Sequence, residues 1–139
     1  GYIINKTRDK VLMIYHKIYN SWAWTGGHND GDTNFLRVAI KEAQEETGLK
    51  NINVISDDIF SIDVLTVNGH IKKNKFVSAH LHLNITYLLE ARENDELIIN
   101  KEETKGVKWI PIAELDKYCS EKHMIDNVYS KLNDKINKL

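Results

Sequence analysis

Residues 26–49 read GGHNDGDTNFLRVAIKEAQEETGL, a glycine-rich loop running into an amphipathic helix that carries three glutamates. Leu36, Ala39, Ile40, Ala43 and Thr47 recur at spacings of three and four, which predicts an apolar stripe seated on a sheet. At about 100° per residue, Glu42 and Glu46 flank that stripe, while Glu45 and Lys41 lie further round. Asp32 or Thr33 is expected to cap the first turn, and Gly48 to supply the left-handed residue that ends it. Glu42 and Glu46 stand one turn apart on one face, with Glu45 beside them. Carboxylates so placed repel one another, and holding them ionised together favours a bound cation. The plain alternative is a surface helix with solvated acids. A helix built only for solubility, however, sets lysines among its acids at i,i+4, whereas the Glu42–Glu46 pair is mildly repulsive.

Toward the amino terminus, Tyr2 to Ile4 and Val11 to His16 read as a hairpin, and Trp22 to Thr25 as a short extended piece feeding the loop. Beyond the helix, Ile59 to Val67 and Phe76 to Leu89 are alternating runs joined by an Asn68-Gly69 turn and a basic stretch. A long polar connection, Glu93 to Gly106, leads to a short strand, Val107 to Ile110, ahead of Pro111. Ile112 to Tyr118 begins a helix. Lys122 to Ile136 predicts another, with Met124, Val128, Leu132 and Ile136 at a four-residue apolar period. Strands with helices on both faces imply an α/β/α sandwich on a mixed β-sheet. The length of 139 residues suits a single domain over 1–139.

The glycine loop and helix resemble the Nudix box, whose pattern is G, five residues, E, seven residues, then R-E-U-x-E-E-x-G-U, with U a bulky aliphatic. Gly27 supplies the first glycine, Glu42 the first helical glutamate, Ala43 the aliphatic position, Glu45 and Glu46 the paired glutamates, and Gly48 and Leu49 the close. Two positions depart: Thr33 stands where the loop glutamate belongs and Lys41 where the arginine belongs. In the family those two commonly form a supporting ion pair, so both halves of that support are altered. The resemblance implies a metal-holding triad of Glu42, Glu45 and Glu46, and it extends across nearly all the chain. Nudix domains usually carry more of the first strand ahead of Tyr2, so some residues are expected to be missing before Gly1.

Composition narrows the partners. Nineteen basic against 20 acidic residues leave no positive excess to recruit extended nucleic acid. No apolar run approaches the roughly 20 residues that cross a bilayer. Cys119 is the single cysteine, so an intrachain disulfide is impossible and a reducing cytoplasmic home is expected. A G-x-x-x-x-G-K-[ST] phosphate loop and a G-x-S-x-G elbow are both absent.

The chemistry implied by the resemblance is hydrolysis of a phosphoanhydride with Mg²⁺ as cofactor, Mn²⁺ substituting, since only divalent cations reconcile phosphates with a carboxylate-lined cleft. Gly26 and Gly27 would let the loop approach the phosphates with backbone N–H groups, although two glycines alone also make a plain tight turn. Glu45 and Glu46 are the catalytic candidates on the helix. Glu103, with Glu102 held open, matches an additional family glutamate that binds metal or acts as base, against the plain reading of a solvated loop acid. His16, Lys17, Trp24 and Lys41 are the candidate substrate contacts. Trp22 and Trp24 share a face and either stack on a base or pack in the core. His80 and His82 share a strand face, where they line the cleft, sit under the glycine loop or, less simply, ligate metal. Cys119 reads as structural, and the lysines at 72, 73 and 75 as a basic turn.

The expected substrate is a small nucleoside diphosphate derivative of the ADP-ribose or nucleotide-sugar type, favoured over capped RNA by the near-neutral charge and paired tryptophans. A nucleoside triphosphate pyrophosphohydrolase is the close rival, and a non-catalytic nucleotide-binding module the third reading. No membrane partner is expected, and a homodimer is admitted.

Overall fold

In the computed structural model, every residue is described except Tyr19, Asn68, Lys73 and Glu103, together with the side chain of Lys72. The sandwich follows from alternation along two short strands, β1 (Tyr2–Ile4) and β2 (Lys10–His16), which pair as the expected hairpin with Ile3 opposite Leu12. Successive strand residues point to opposite faces. Tyr2, Ile4, Val11 and Met13 therefore enter one core and Ile3 and Leu12 the other.

On the second face lies α1 (Phe35–Thr47), seated through Ala43 and flanked by Leu36, Ala39 and Ile40, as its apolar stripe predicts. The first face is covered by the carboxy-terminal helices. These are a 3₁₀ turn (Ile112–Glu114) continuing into α2 (Leu115–Tyr118), then α3 (Lys122–Met124), a π turn (Ile125–Tyr129) and α4 (Ser130–Asn137). Met124, Val128, Leu132 and Ile136 are all buried there, so the four-residue period marks the seam even though a π turn interrupts the helix.

Four further strands complete the main sheet: β3 (Ser21–Ala23), β4 (Asn53–Val54), β9 (Leu88–Glu90) and β10 (Thr104–Pro111). Among the described residues the order is β10-β2-β1-β9-β4, with β3 also on β2. Strand β1 runs parallel to β9, while the other pairs are antiparallel, which makes the sheet mixed. Strand β10 starts earlier than its apolar residues suggest, because its pairing with β2 continues past an irregularity between Thr104 and Gly106. Pro111 is tolerated as the last residue of an edge strand.

The remaining strands form a ribbon away from the sheet: β5 (Ser61–Val67) with β8 (His80–Thr86), and β6 (His70–Lys72) with β7 (Lys75–Val77). Lys72 faces Lys75 across the tip and Asn74 takes a positive φ of 62°, so the hairpin reverses within the expected basic turn; of the expected Asn68-Gly69 turn, Asn68 lies outside the described residues. Among the described residues no helix is long and apolar enough to cross a membrane.

Candidate active site

Helix α1 is fixed at both ends by short polar contacts. The N-cap is Asn34, not Asp32 or Thr33: its Oδ1 accepts the Arg37 N–H at 3.1 Å. Asp32 is occupied otherwise, accepting the Asn34 N–H at 2.9 Å on one oxygen and pairing with the Arg37 guanidinium on the other. Those contacts, the backbone hydrogen bond first, hold its carboxyl below the usual aspartate range. Gly48 ends the helix as expected, at φ 76°, with its N–H on the Gln44 carbonyl at 2.8 Å.

The three glutamates fall into three environments. Glu46 is 3% exposed, and its Oε1 accepts the Gly26 N–H at 2.8 Å. Glu42 is half-buried and comes up against Gly27 so closely that a Cβ there would lie 2.5 Å from the carboxylate carbon. Gly27 is a glycine because that carboxylate fills its side-chain space. Glu45 lies further round, exposed, with the Lys41 ammonium 3.9 Å away. The structure thus brings Glu42 and Glu46 to the glycine loop and leaves Glu45 on the outer flank, and among the described residues no three histidine, cysteine or acidic groups converge to hold an ion. The donors nevertheless suit a hard cation in type: two loop-facing carboxylates and a third one turn position away, all oxygen.

The departures from the box are met locally. Thr33 is exposed and Lys41 pairs with Glu45, while the tie between loop and helix is made by Asp32 and Arg37. That relocated pair was not anticipated from the sequence, although the i,i+5 acid and base flanking the helix start were visible.

His82 projects from β8 against His28 of the glycine loop, with ring centroids 5.2 Å apart, and His80 Nε2 lies 2.8 Å from His82 Nε2. Burial, then the neighbouring His80 and His28, push His82 below the ordinary histidine range. The expectation that the pair meets the glycine loop therefore places His82 correctly. His28 itself was overlooked, though its position directly after Gly26 and Gly27 marked it.

Other candidates are less central. Trp24 is half-buried, with its ring edge-on to Tyr129 at 5.6 Å, and its backbone N–H donates to the Tyr129 hydroxyl at 3.3 Å. Trp22 packs edge-on to Tyr15 at 5.5 Å and lies over Gly106. Both tryptophans are thus core-packed on one side. Lys17 donates to the Lys101 carbonyl, and His16 Nδ1 accepts the Ile18 N–H at 3.2 Å. Glu103 lies outside the described residues, and Glu102 is exposed. Cys119 is buried against Met13, and burial pushes its thiol up to about 11, in keeping with a structural role. Surface concavities beside Asn51 and Arg92, and beside Asn5 and Glu93, share no residue with the loop or α1.

The NUDIX domain profile matches residues 1–131. The chain belongs to the Nudix family. Nudix hydrolases act on phosphoanhydrides, and this chain is an enzyme of that class. Its fold is similar to the Ap4A hydrolase of C. elegans in a binary complex, with a TM-score of 0.70 at 17% identity over 99% of this chain and 96% of that one. A NUDIX-family hydrolase from Clostridium perfringens aligns with a TM-score of 0.69 at 20% identity, over 97% and 93%. The MutT protein of Bacillus halodurans aligns at 0.54 and 20% identity, over 92% and 78%. No curated protein sequence matches the chain. At these identities the structural likeness concerns the Nudix fold. Nudix hydrolases generally need divalent metal ions.

Proposed function

We propose that this Nudix domain cleaves the pyrophosphate linkage of a small nucleoside diphosphate derivative, of the ADP-ribose or nucleotide-sugar type, with Mg²⁺ and with Mn²⁺ as a substitute. The observation that carries the reading is the pair of α1 carboxylates at the glycine loop, Glu46 on the Gly26 N–H and Glu42 against Gly27. Acids are otherwise seldom buried, and desolvating one costs several kcal/mol unless a partner or cation compensates.

Glu42, Glu45 and Glu46 are the residues that would hold the metal, Glu45 after turning from Lys41. A divalent cation bound there neutralises phosphate charge and polarises phosphorus. Glu46 has a second role, since its hydrogen bond to Gly26 sets the height of the loop above the helix. Glu45 and Glu46 on the helix and Glu103 on the connection are the catalytic candidates. Gly26 and Gly27 would lie along the phosphates, Lys41 and His16 or Lys17 at their flanks, and Trp24 beside the base.

A second reading has an observation of its own. His28, His80 and His82 add imidazole nitrogens next to the loop, which favours a substrate with further phosphates, such as a dinucleoside polyphosphate or a nucleoside triphosphate. A metal-dependent screen with product analysis separates these. ADP-ribose or a nucleotide sugar split into two monophosphates supports the first reading. Triphosphate conversion to monophosphate and pyrophosphate, with diphosphate sugars untouched, overturns it. Specific binding with no turnover in Mg²⁺ or Mn²⁺ would indicate a non-catalytic module and overturn both readings.

A further inference from the structure

Strand β8 carries two histidines on one face, His80 opposite Val67 and His82 opposite Leu65 in the register with β5. Val67 is buried and Leu65 packs against the core, so the strand pair beneath both imidazoles is anchored to the body. The two side chains converge at their tips, where His80 Nε2 lies 2.8 Å from His82 Nε2. His80 Nδ1 is 2.7 Å from the Ser78 carbonyl oxygen, which can only accept, so Nδ1 carries the proton of the neutral ring. Nε2 of His80 is then a bare lone pair, and His82 donates its Nε2–H across the gap. Burial, then the neighbouring His80 and His28, keep His82 below the ordinary histidine range, so its ring is neutral at pH 7.

We propose that His80 and His82 form a two-nitrogen chelate for a divalent transition cation of the Ni²⁺ or Cu²⁺ type, built from residues other than the α1 carboxylates. Geometry is the first argument. Nitrogens bound at about 2.1 Å and at right angles stand about 3.0 Å apart, against about 3.4 Å in a tetrahedral shell. The observed 2.8 Å lies close to the right-angled edge.

Orientation is the second argument. Metal-bound histidines ordinarily donate their other ring N–H to a carbonyl or carboxylate, which fixes the tautomer, and the Ser78 carbonyl does this for His80. Ligand type is the third, since imidazole suits these cations while Mg²⁺ prefers oxygen. On binding, the cation takes the place of the shared proton. His82 then carries its proton on Nδ1, so both rings stay neutral and no proton is released. Water fills the remaining positions, because among the described residues no third histidine, cysteine or acid converges there. His28 meets His82 ring to ring at 5.2 Å and acts as a wall of the site.

Calorimetric titration of the untagged full chain with NiCl₂, in excess Mg²⁺ to occupy the carboxylates, is the test. One Ni²⁺ per chain with a micromolar dissociation constant is expected. His80→Gln and His82→Gln each leave a lone imidazole and should weaken binding at least about tenfold, because the second nitrogen no longer engages intramolecularly. His28→Gln should leave the affinity unchanged. In the parent chain, which needs no variant to fold, Ni²⁺ should broaden the imidazole proton signals of His80 and His82 before those of His16, His70 and His123. Turnover plays no part in these readouts, so failure of the phosphoanhydride reading would leave them standing. Absence of saturable binding, or its displacement by Mg²⁺, overturns the proposal. So does an affinity indifferent to His80→Gln or His82→Gln, an equal loss in His28→Gln, or broadening that begins at another histidine.

Discussion

Replacing Gly27 by alanine should disable the site while sparing the fold. The added Cβ would stand 2.5 Å from the Glu42 carboxylate carbon and 2.7 Å from each of its oxygens. Non-bonded carbons settle about 3.5–4.0 Å apart, so the carboxylate must retreat by about 1 Å or more. The obstacle is the end of a flexible side chain and Gly27 does not need a left-handed backbone, so the retreat is cheap for folding. It is expensive for chemistry, since a displacement of about 1 Å can cost on the order of 100-fold in rate, or about 2.7 kcal/mol of transition-state stabilisation. The assay is phosphate release from the best substrate in the screen, titrated with Mg²⁺ to separate weaker metal binding from slower turnover, with thermal melting alongside. Gly26→Ala is the control for metal binding and stability, because a Cβ there meets nothing within 4 Å and leaves the N–H on Glu46 in place. The reasoning fails if Gly27→Ala retains activity within twofold, or if both substitutions shift the Mg²⁺ dependence equally.

Glu46→Gln should keep the loop in place, because an amide oxygen can still accept the Gly26 N–H, yet lower turnover at least tenfold, a demand of only about 1.4 kcal/mol; unchanged turnover at saturating Mg²⁺ would remove Glu46 from the metal set. Gly48→Ala should destabilise by about 2 kcal/mol or more, combining a left-handed φ of 76° with a Cβ 2.6 Å from the Ile98 backbone nitrogen. A melting temperature within a degree of the parent would contradict that. His82 gives a pH signature. Its native value is lowered, so below the ordinary value of 6.5 the unfolded chain binds more protons. The stability that neutral His82 contributes is complete above that value and is lost as pH falls through the lowered native one. Melting temperatures from pH 7.5 to 5 should therefore fall more steeply for the parent than for His82→Gln, and parallel slopes would refute the contact's role.

Periodicity carried most of the fold. The α1 stripe, the Met124-to-Ile136 seam and the β1–β2 hairpin were legible because each buries one face, and burying one face leaves a repeat in the chain. The ribbon was legible as alternation but not as orientation, since a period of two does not say which face meets water. The basic turn around Asn74 was legible in the lysines that flank it. At the site, helix spacing separated Glu42 and Glu46 from Glu45 correctly. The intimate fit of Glu42 to Gly27 and of Glu46 to Gly26 is tertiary, and spacing within one helix cannot carry it. Asn34 displaced Asp32 as cap because Asp32 engages Arg37 and the Asn34 N–H, a choice among neighbouring cap residues that spacing alone does not make.

Strand β1 sits between a neighbour in sequence and a distant one: Ile3 pairs with Leu12 on one side and with Leu89 on the other. The first contact closes a short loop and forms early. The second must bring together parts of the chain separated by nearly two thirds of its length, and such non-local parallel pairing is slow. Helix α1 rests on Ile3, Leu12 and Leu89 together, so its floor is incomplete until β9 docks. The order of assembly follows: on the ribosome, the glutamate helix is made long before it has a place to sit. Pulsed hydrogen exchange during refolding should show α1 amides gaining full protection together with those of β9, and earlier protection of α1 would break that link.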